Sequence, residues 1–156
     1  MRLTLERLSK QFKNRIAVEN VNAELTEGIY GFLGANGAGK TTLMQMICGI
    51  VAPTSGEVKV NGKNNTEMGE EFRDLLGYLP QEFGYTPGFT AEDFMLYIAS
   101  VKGLDPRYAR RRTRELMKLV SLEGDMKRKI RTFSGGMKRR LGIAQALLND
   151  PKILIM

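Results

Sequence analysis

Gly34-Ala35-Asn36-Gly37-Ala38-Gly39-Lys40-Thr41 decides how the rest of the chain is read. The stretch has the spacing G-x-x-x-x-G-K-[ST], and its flanks are those that the spacing requires. Upstream, Ile29-Tyr30-Gly31-Phe32-Leu33 is an apolar run of strand length. Downstream, Leu43, Met44, Ile47 and Ile50 recur at helical spacing, which predicts a helix from Thr41 to Ile50. Glycines reach backbone dihedrals closed to other residues, so successive N–H groups turn inward around an anion. A helix start adds unpaired N–H donors and a positive dipole end, worth about 1 kcal/mol or more towards a phosphate. In such a loop Lys40 reaches the β- and γ-phosphates of a nucleoside triphosphate, and the Thr41 hydroxyl ligates Mg²⁺. A glycine-rich turn followed by a chance Lys-Thr is the structural alternative, and the flanking elements weigh against it.

The chain has 156 residues, 42% hydrophobic and 26% charged, which suits one soluble domain with a real core. No apolar run approaches the ~18–20 residues that cross a bilayer. The start, Met1-Arg2-Leu3-Thr4-Leu5-Glu6, alternates and carries charge early, unlike a signal peptide. The single cysteine, Cys48, has no partner for an internal disulfide, and a buried thiol fits a reducing cytosol. With no histidine in the chain, nothing supports Cys48 as an activated nucleophile. The net charge is +7, with the excess between Arg107 and Arg140. Such a balance marks either polyanion binding or a solvated basic face.

Along the chain, Leu3, Leu5 and Leu8, then Val21, Ala23 and Leu25, read as half-buried strands. Gly56 to Val60 alternates and runs into the turn signal Asn61-Gly62. These segments predict a small antiparallel sheet. Leu75 to Leu79 is a further strand, stopped by Pro80. Thr90 and Asp93 then open a helix as a capping-box variant, and Gly103 closes it. Asp105-Pro106 opens the next helix with a cap and an N1 proline. On it Ala109, Leu116 and Val120 share one face, and Arg107, Arg111, Arg114 and Lys118 the opposite one. A last helix starts at Ser134 and closes at Asn149-Asp150-Pro151. Ile153 to Met156 then reads as a buried strand.

Ser134-Gly135-Gly136-Met137-Lys138-Arg139-Arg140-Leu141 resembles the signature motif of ATP-binding-cassette (ABC) ATPases, L-S-G-G-Q followed by a basic helix. Physically it is a hydroxyl at a helix start followed by two residues without side chains, a second anion site of helix-terminus type. As structure alone, Ser134 caps its helix and the glycines turn the chain. Tyr78-Leu79-Pro80-Gln81 is similar to the family's Q-loop. Phe12 precedes the glycine loop at about the distance of the family's adenine-stacking aromatic; as structure alone it is a core ring.

The resemblance implies an α/β fold: a P-loop NTPase with a RecA-like core, an antiparallel β subdomain and a helical subdomain. Residues 1–156 would form one ATPase domain, with the β subdomain and P-loop core in about 1–80 and the helical subdomain in about 82–148. Residues 152–156 would begin the strand that leads to an Asp-Glu pair. Gly34, Ala35, Asn36, Gly37, Ala38, Gly39, Lys40, Thr41 and Thr42 would hold ATP, with Thr41 and Gln81 towards Mg²⁺ and Gln81 also near the attacking water. Ser134, Gly135 and Gly136 would serve an ATP bound by a second ABC ATPase domain in a head-to-tail pair. Phe83, Tyr85 and Phe89 would seat a short helix of a membrane permease; as structure alone they are ordinary packing aromatics. The resemblance places such a subunit on the cytoplasmic face of the membrane.

The chain departs from the pattern in several places. Phe133 replaces Leu, and Met137 replaces Gln, which brings the motif closer to the S-G-G-M-K-R-R form of ABC-2-type exporters. The sequence stops one residue before the expected Asp and has no histidine, so no catalytic residue is expected in it beyond the Gln81 contact. We read it as an ATPase domain cut short in its core, with binding of Mg-ATP expected and hydrolysis expected to be negligible. Two further readings stay open: an ABC ATPase acting on nucleic acid or ribosomes, carried by the basic helix, and a vestigial ATP-binding module. No nucleic acid partner is expected, because no aromatic is interleaved in the basic stripe to stack on bases.

Overall fold

Alternation in the first 25 residues becomes a hairpin. In the computed structural model, which describes every residue except Phe83, β1 (Leu3–Phe12) and β2 (Arg15–Leu25) pair antiparallel from Leu3 opposite Leu25 to Phe12 opposite Arg15. The other edge of β1 takes β3 (Ser55–Val60), with Leu3 opposite Val60 and Leu5 opposite Val58. β3 turns through Asn61 and Gly62, both at positive φ, into β4 (Lys63–Asn64). The sheet order is therefore β2-β1-β3-β4. Period-2 patterning puts Leu3, Leu5, Val58 and Val60 in the core together.

The chain divides into two compact units, Met1–Phe72 and Arg73–Met156. In the first, α1 (Lys40–Ile47) buries Leu43, Met46 and Ile47. It stops three residues earlier than the apolar spacing predicts, because Gly49 takes φ +71 and its N–H donates to the Met46 carbonyl. The buried Asn65 side chain donates to the Ile47 carbonyl at 3.0 Å, satisfying an orphan acceptor at the helix end.

The apolar run Ile29–Leu33 does not form the predicted strand. A strand is held by hydrogen bonds to a neighbour, and no strand pairing among the described residues includes this run. Ile29 and Leu33 are consequently open to solvent, at 104% and 96% exposure.

A short helix that the sequence does not announce, α2 (Glu70–Leu75), leads into β5 (Leu76–Tyr78) of the second unit. β5 pairs parallel with β6 (Ile153–Ile155), Leu76 opposite Ile153 and Tyr78 opposite Ile155. The predicted burial of this last strand does not hold: Leu154 is 40% exposed, since β5 is the neighbour it has in the described structure. The helices α3 (Ala91–Val101), α4 (Pro106–Leu119) and α5 (Gly135–Ala146) share one core through Met95, Leu116, Met117 and Leu141. The predicted capping box closes on α3, where Thr90 Oγ1 accepts from the Asp93 N–H at 3.1 Å. Asp105 caps α4 by accepting from the N–H groups of Arg107 and Tyr108.

Candidate functional site: a glycine loop and a capped helix start

The glycine loop lies in the first unit, between the open run 29–33 and α1. Gly37 and Gly39 sit at φ +83 and +86, in the left-handed region that favours glycine. Gly39 is doubly constrained, because a Cβ there would stand 2.0 Å from the Ala17 carbonyl oxygen on β2. The loop is thus pinned to the sheet at its helix end. Ala38 N–H donates to the Ala35 carbonyl at 3.2 Å, forming the turn within it.

Lys40, the first residue of α1, folds back over the loop. Its Nζ donates to the Gly34 carbonyl at 2.6 Å and the Ala35 carbonyl at 2.8 Å. The ammonium is therefore held over the loop by two neutral acceptors. α1 carries no acidic residue in its first turn, so nothing at this end competes with an incoming anion. Thr41 is exposed at the helix start and Thr42 is partly buried. These features fit a polyphosphate: glycine-permitted turns, a cation in reach and a free helix start. Among the described residues no cluster of acids, His or Cys stands ready to hold a metal. One open hollow of the unit lies instead on the sheet, lined by Arg2, Glu6, Glu24 and Lys59. A phosphate cup made of backbone amides needs no deep cavity.

Arg15 is the residue that the sequence did not reveal. It stands at the β1–β2 turn, and its Nη2 donates to the Gly37 carbonyl at 3.0 Å. Phe12 is its cross-strand partner and is 47% exposed, with Lys10 Nζ 5.1 Å from the ring centroid. Phe12 is therefore not a core ring. The hairpin that carries it also carries the residue tied to the glycine loop.

The remaining sequence-predicted residues lie in the second unit. Gln81 is exposed at a bend after β5. Ser134 caps α5, its Oγ accepting from the Met137 N–H at 3.2 Å. A Cβ at Gly135 or Gly136 would meet nothing within 4 Å, so the chain's own packing does not require glycine at either position. Tyr85 lies under Lys138 Nζ, 4.9 Å from its centroid, and Phe89 meets Tyr97 edge-on at 5.8 Å. Phe83 lies outside the described residues. Cys48 is buried, and desolvation pushes its thiol up to about 12, which removes it as a nucleophile at neutral pH. No described helix is long and apolar enough to cross a membrane.

Comparison with known proteins shows the family. A family described as ABC transporter matches residues 18–156. An uncharacterized ABC transporter ATP-binding protein, YxlF of Bacillus subtilis (strain 168), is 39% identical over 155 residues, 99% of this chain and 51% of its own length. The bacitracin transport ATP-binding protein BcrA of Bacillus licheniformis is 37% identical over 150 residues, 96% of this chain and 48% of its own. The chain thus spans about half the length of the curated relatives it matches. Among solved structures, the dimeric bacterial ABC transporter cassette MJ0796 superposes with a TM-score of 0.85 at 30% identity, covering 97% of this chain and 72% of that one.

Proposed function

Because this chain belongs to the ABC transporter family of ATP-binding proteins, we propose that it holds Mg-ATP on residues 34–42. The whole protein would couple binding and hydrolysis of that ATP to export of a solute through a separate permease. What carries the proposal is Lys40, whose ammonium lies over the loop on the carbonyls of Gly34 and Ala35. The ammonium already makes charge-assisted bonds, and trading two neutral acceptors for phosphate oxygens makes the acceptor side ionic as well.

The roles follow from position. N–H groups at the start of α1 would hold the phosphates, and the Thr41 hydroxyl would hold Mg²⁺. Bound Mg²⁺ would supply charge neutralisation between the β- and γ-phosphates. Phe12 offers a ring face to the base, and Arg15 steadies the Gly37 peptide behind the phosphates. Gln81 would reach the metal or the attacking water. Ser134, Gly135 and Gly136 would meet the γ-phosphate of an ATP held by a second such domain, and their bare backbone leaves room for it. The residues present support binding; hydrolysis belongs to the whole protein. Export, rather than import, rests on the Ser134-Gly135-Gly136-Met137-Lys138-Arg139-Arg140 form of the signature. A peripheral position on the cytoplasmic face of the membrane follows from the permease.

Calorimetric titration of the folded chain with Mg-ATP tests the reading. We expect saturable binding that Lys40→Ala weakens by roughly a hundredfold, the loss of a charged contact of about 3 kcal/mol. A folded wild type that takes up no Mg-ATP overturns it.

A further inference from the structure

The charge of the molecule is segregated. Met1–Phe72 holds 8 Lys and Arg against 8 Asp and Glu, whereas Arg73–Met156 holds 16 against 9, so the entire excess of +7 lies in the second unit. Its densest part is α4. Arg107, Arg110, Arg111, Arg114 and Lys118 recur at intervals of three and four, which aligns them along one exposed face of the helix. Glu115 draws in Arg111 at 3.7 Å. The side chains of Arg107, Arg110, Arg114 and Lys118 have no ion pair or hydrogen bond among the described residues.

Helix stability does not explain this pattern. Like charges three and four apart repel, and Arg107 stands in the first turn, at the positive end of the dipole, where no acid follows it. Local preference would place Glu or Asp there. Lys118, in the last turn, suits the dipole, but the repelling run of Arg107, Arg110 and Arg114, without a compensating contact among the described residues, points to a partner outside the fold.

We propose that the exposed face of α4 docks on an anionic lipid bilayer. The helix is a rod of about 20 Å, which lays one line of cations along a plane of phosphates. A single-stranded nucleic acid would ask for free ring faces among the cations. Here α4 carries one ring, Tyr108, with Arg111 5.6 Å from its centroid, too few to stack successive bases. The choice of a bilayer among polyanions rests on the transport reading above, which brings the domain to a membrane surface. Docking would orient the domain beneath its permease, and salt would weaken it.

The test is co-sedimentation of the full chain with phosphatidylcholine vesicles, with and without phosphatidylglycerol. Wild type is expected to bind only the phosphatidylglycerol vesicles, in a salt-sensitive manner. Combined Arg107→Glu, Arg110→Glu and Arg114→Glu should lower the bound partition by roughly two orders of magnitude. The same variant should keep or raise its melting temperature, an outcome that a structural role for these arginines would reverse. Lys129→Glu, Arg131→Glu and Lys152→Glu together make an equal change in net charge off the stripe, and should retain most of the binding. Absence of wild-type binding, equal loss in both triple variants, or tighter binding to duplex DNA or RNA than to the vesicles each overturns the proposal. Lys40→Ala separates the two readings: it should weaken Mg-ATP binding by roughly a hundredfold and leave vesicle binding unchanged. Should wild type bind vesicles through the stripe yet take no Mg-ATP, the nucleotide reading fails and the docking face stands.

Discussion

Gly39 has no side chain because Ala17 is in the way: the Ala17 carbonyl oxygen occupies the point 2.0 Å from where a Cβ would sit. The φ of +86 at Gly39 adds a second reason for glycine. Gly39→Ala must therefore push the loop off β2 and strain the backbone, at about 1–3 kcal/mol for the strain alone. We expect a lower melting temperature together with loss of Mg-ATP binding. Gly136→Ala is the contrast, since its Cβ enters open space on a helix and should leave the melting temperature unchanged or raise it. Equal melting of Gly39→Ala and wild type would show that the loop is not pinned at that point.

Arg15 Nη2 holds the Gly37 peptide of the glycine loop by its carbonyl. The bond is exposed, so its worth is that of an ordinary hydrogen bond, about 0.5–1.5 kcal/mol. Arg15→Ala should weaken Mg-ATP binding about three- to tenfold without altering its stoichiometry. Arg15→Lys should recover part of the loss, because it restores a donor but not the planar fork. Calorimetry on the two variants decides: an affinity unchanged in both shows that the loop holds its shape unaided.

Much of this architecture was legible because local chemistry carried it. Asn61-Gly62 supplies two residues that tolerate positive φ, so the β3–β4 turn follows from the dipeptide. Thr90 with Asp93, and Asp105 with Pro106, fix two helix starts by capping alone. The glycine loop was equally visible, since its spacing is its mechanism. What failed depended on neighbours. Ile29–Leu33 has the composition of a strand, but hydrogen-bonded partners make a strand, and the described structure pairs none with it. Arg15 escaped notice because one arginine in a turn carries no pattern. Only the fold brings it to Gly37, 22 positions along the chain.

Cys48 makes a prediction about pH. Burial lifts its thiol from an ordinary 9.0 to about 12, so the folded chain keeps it protonated where the unfolded chain ionises it. The stabilisation from this burial is whole below pH 9 and fades as pH rises towards 12. Denaturation curves across that window should fall less steeply for Cys48→Ala than for wild type. At pH 8 the native thiol should resist alkylation and react once the chain is unfolded. Rapid alkylation of the folded protein would show the site to be open.

Ser134 caps α5, and one pair of substitutions separates that duty from the contact with a partner's nucleotide proposed above. As the cap of α5 it accepts from the Met137 N–H, and Ser134→Ala should cost about 1 kcal/mol, a melting shift of roughly 2–4 °C in a chain of this size. Ser134→Asp keeps a capping oxygen and places a negative charge at a helix start, so the fold should be as stable as before. If the hydroxyl also serves a phosphate bound by a second domain, that same carboxylate repels it. The whole protein carrying Ser134→Asp should bind Mg-ATP normally yet fail to associate in its presence, read by light scattering. Association equal to wild type would mean that Ser134 only caps its helix and that the partner's nucleotide lies elsewhere.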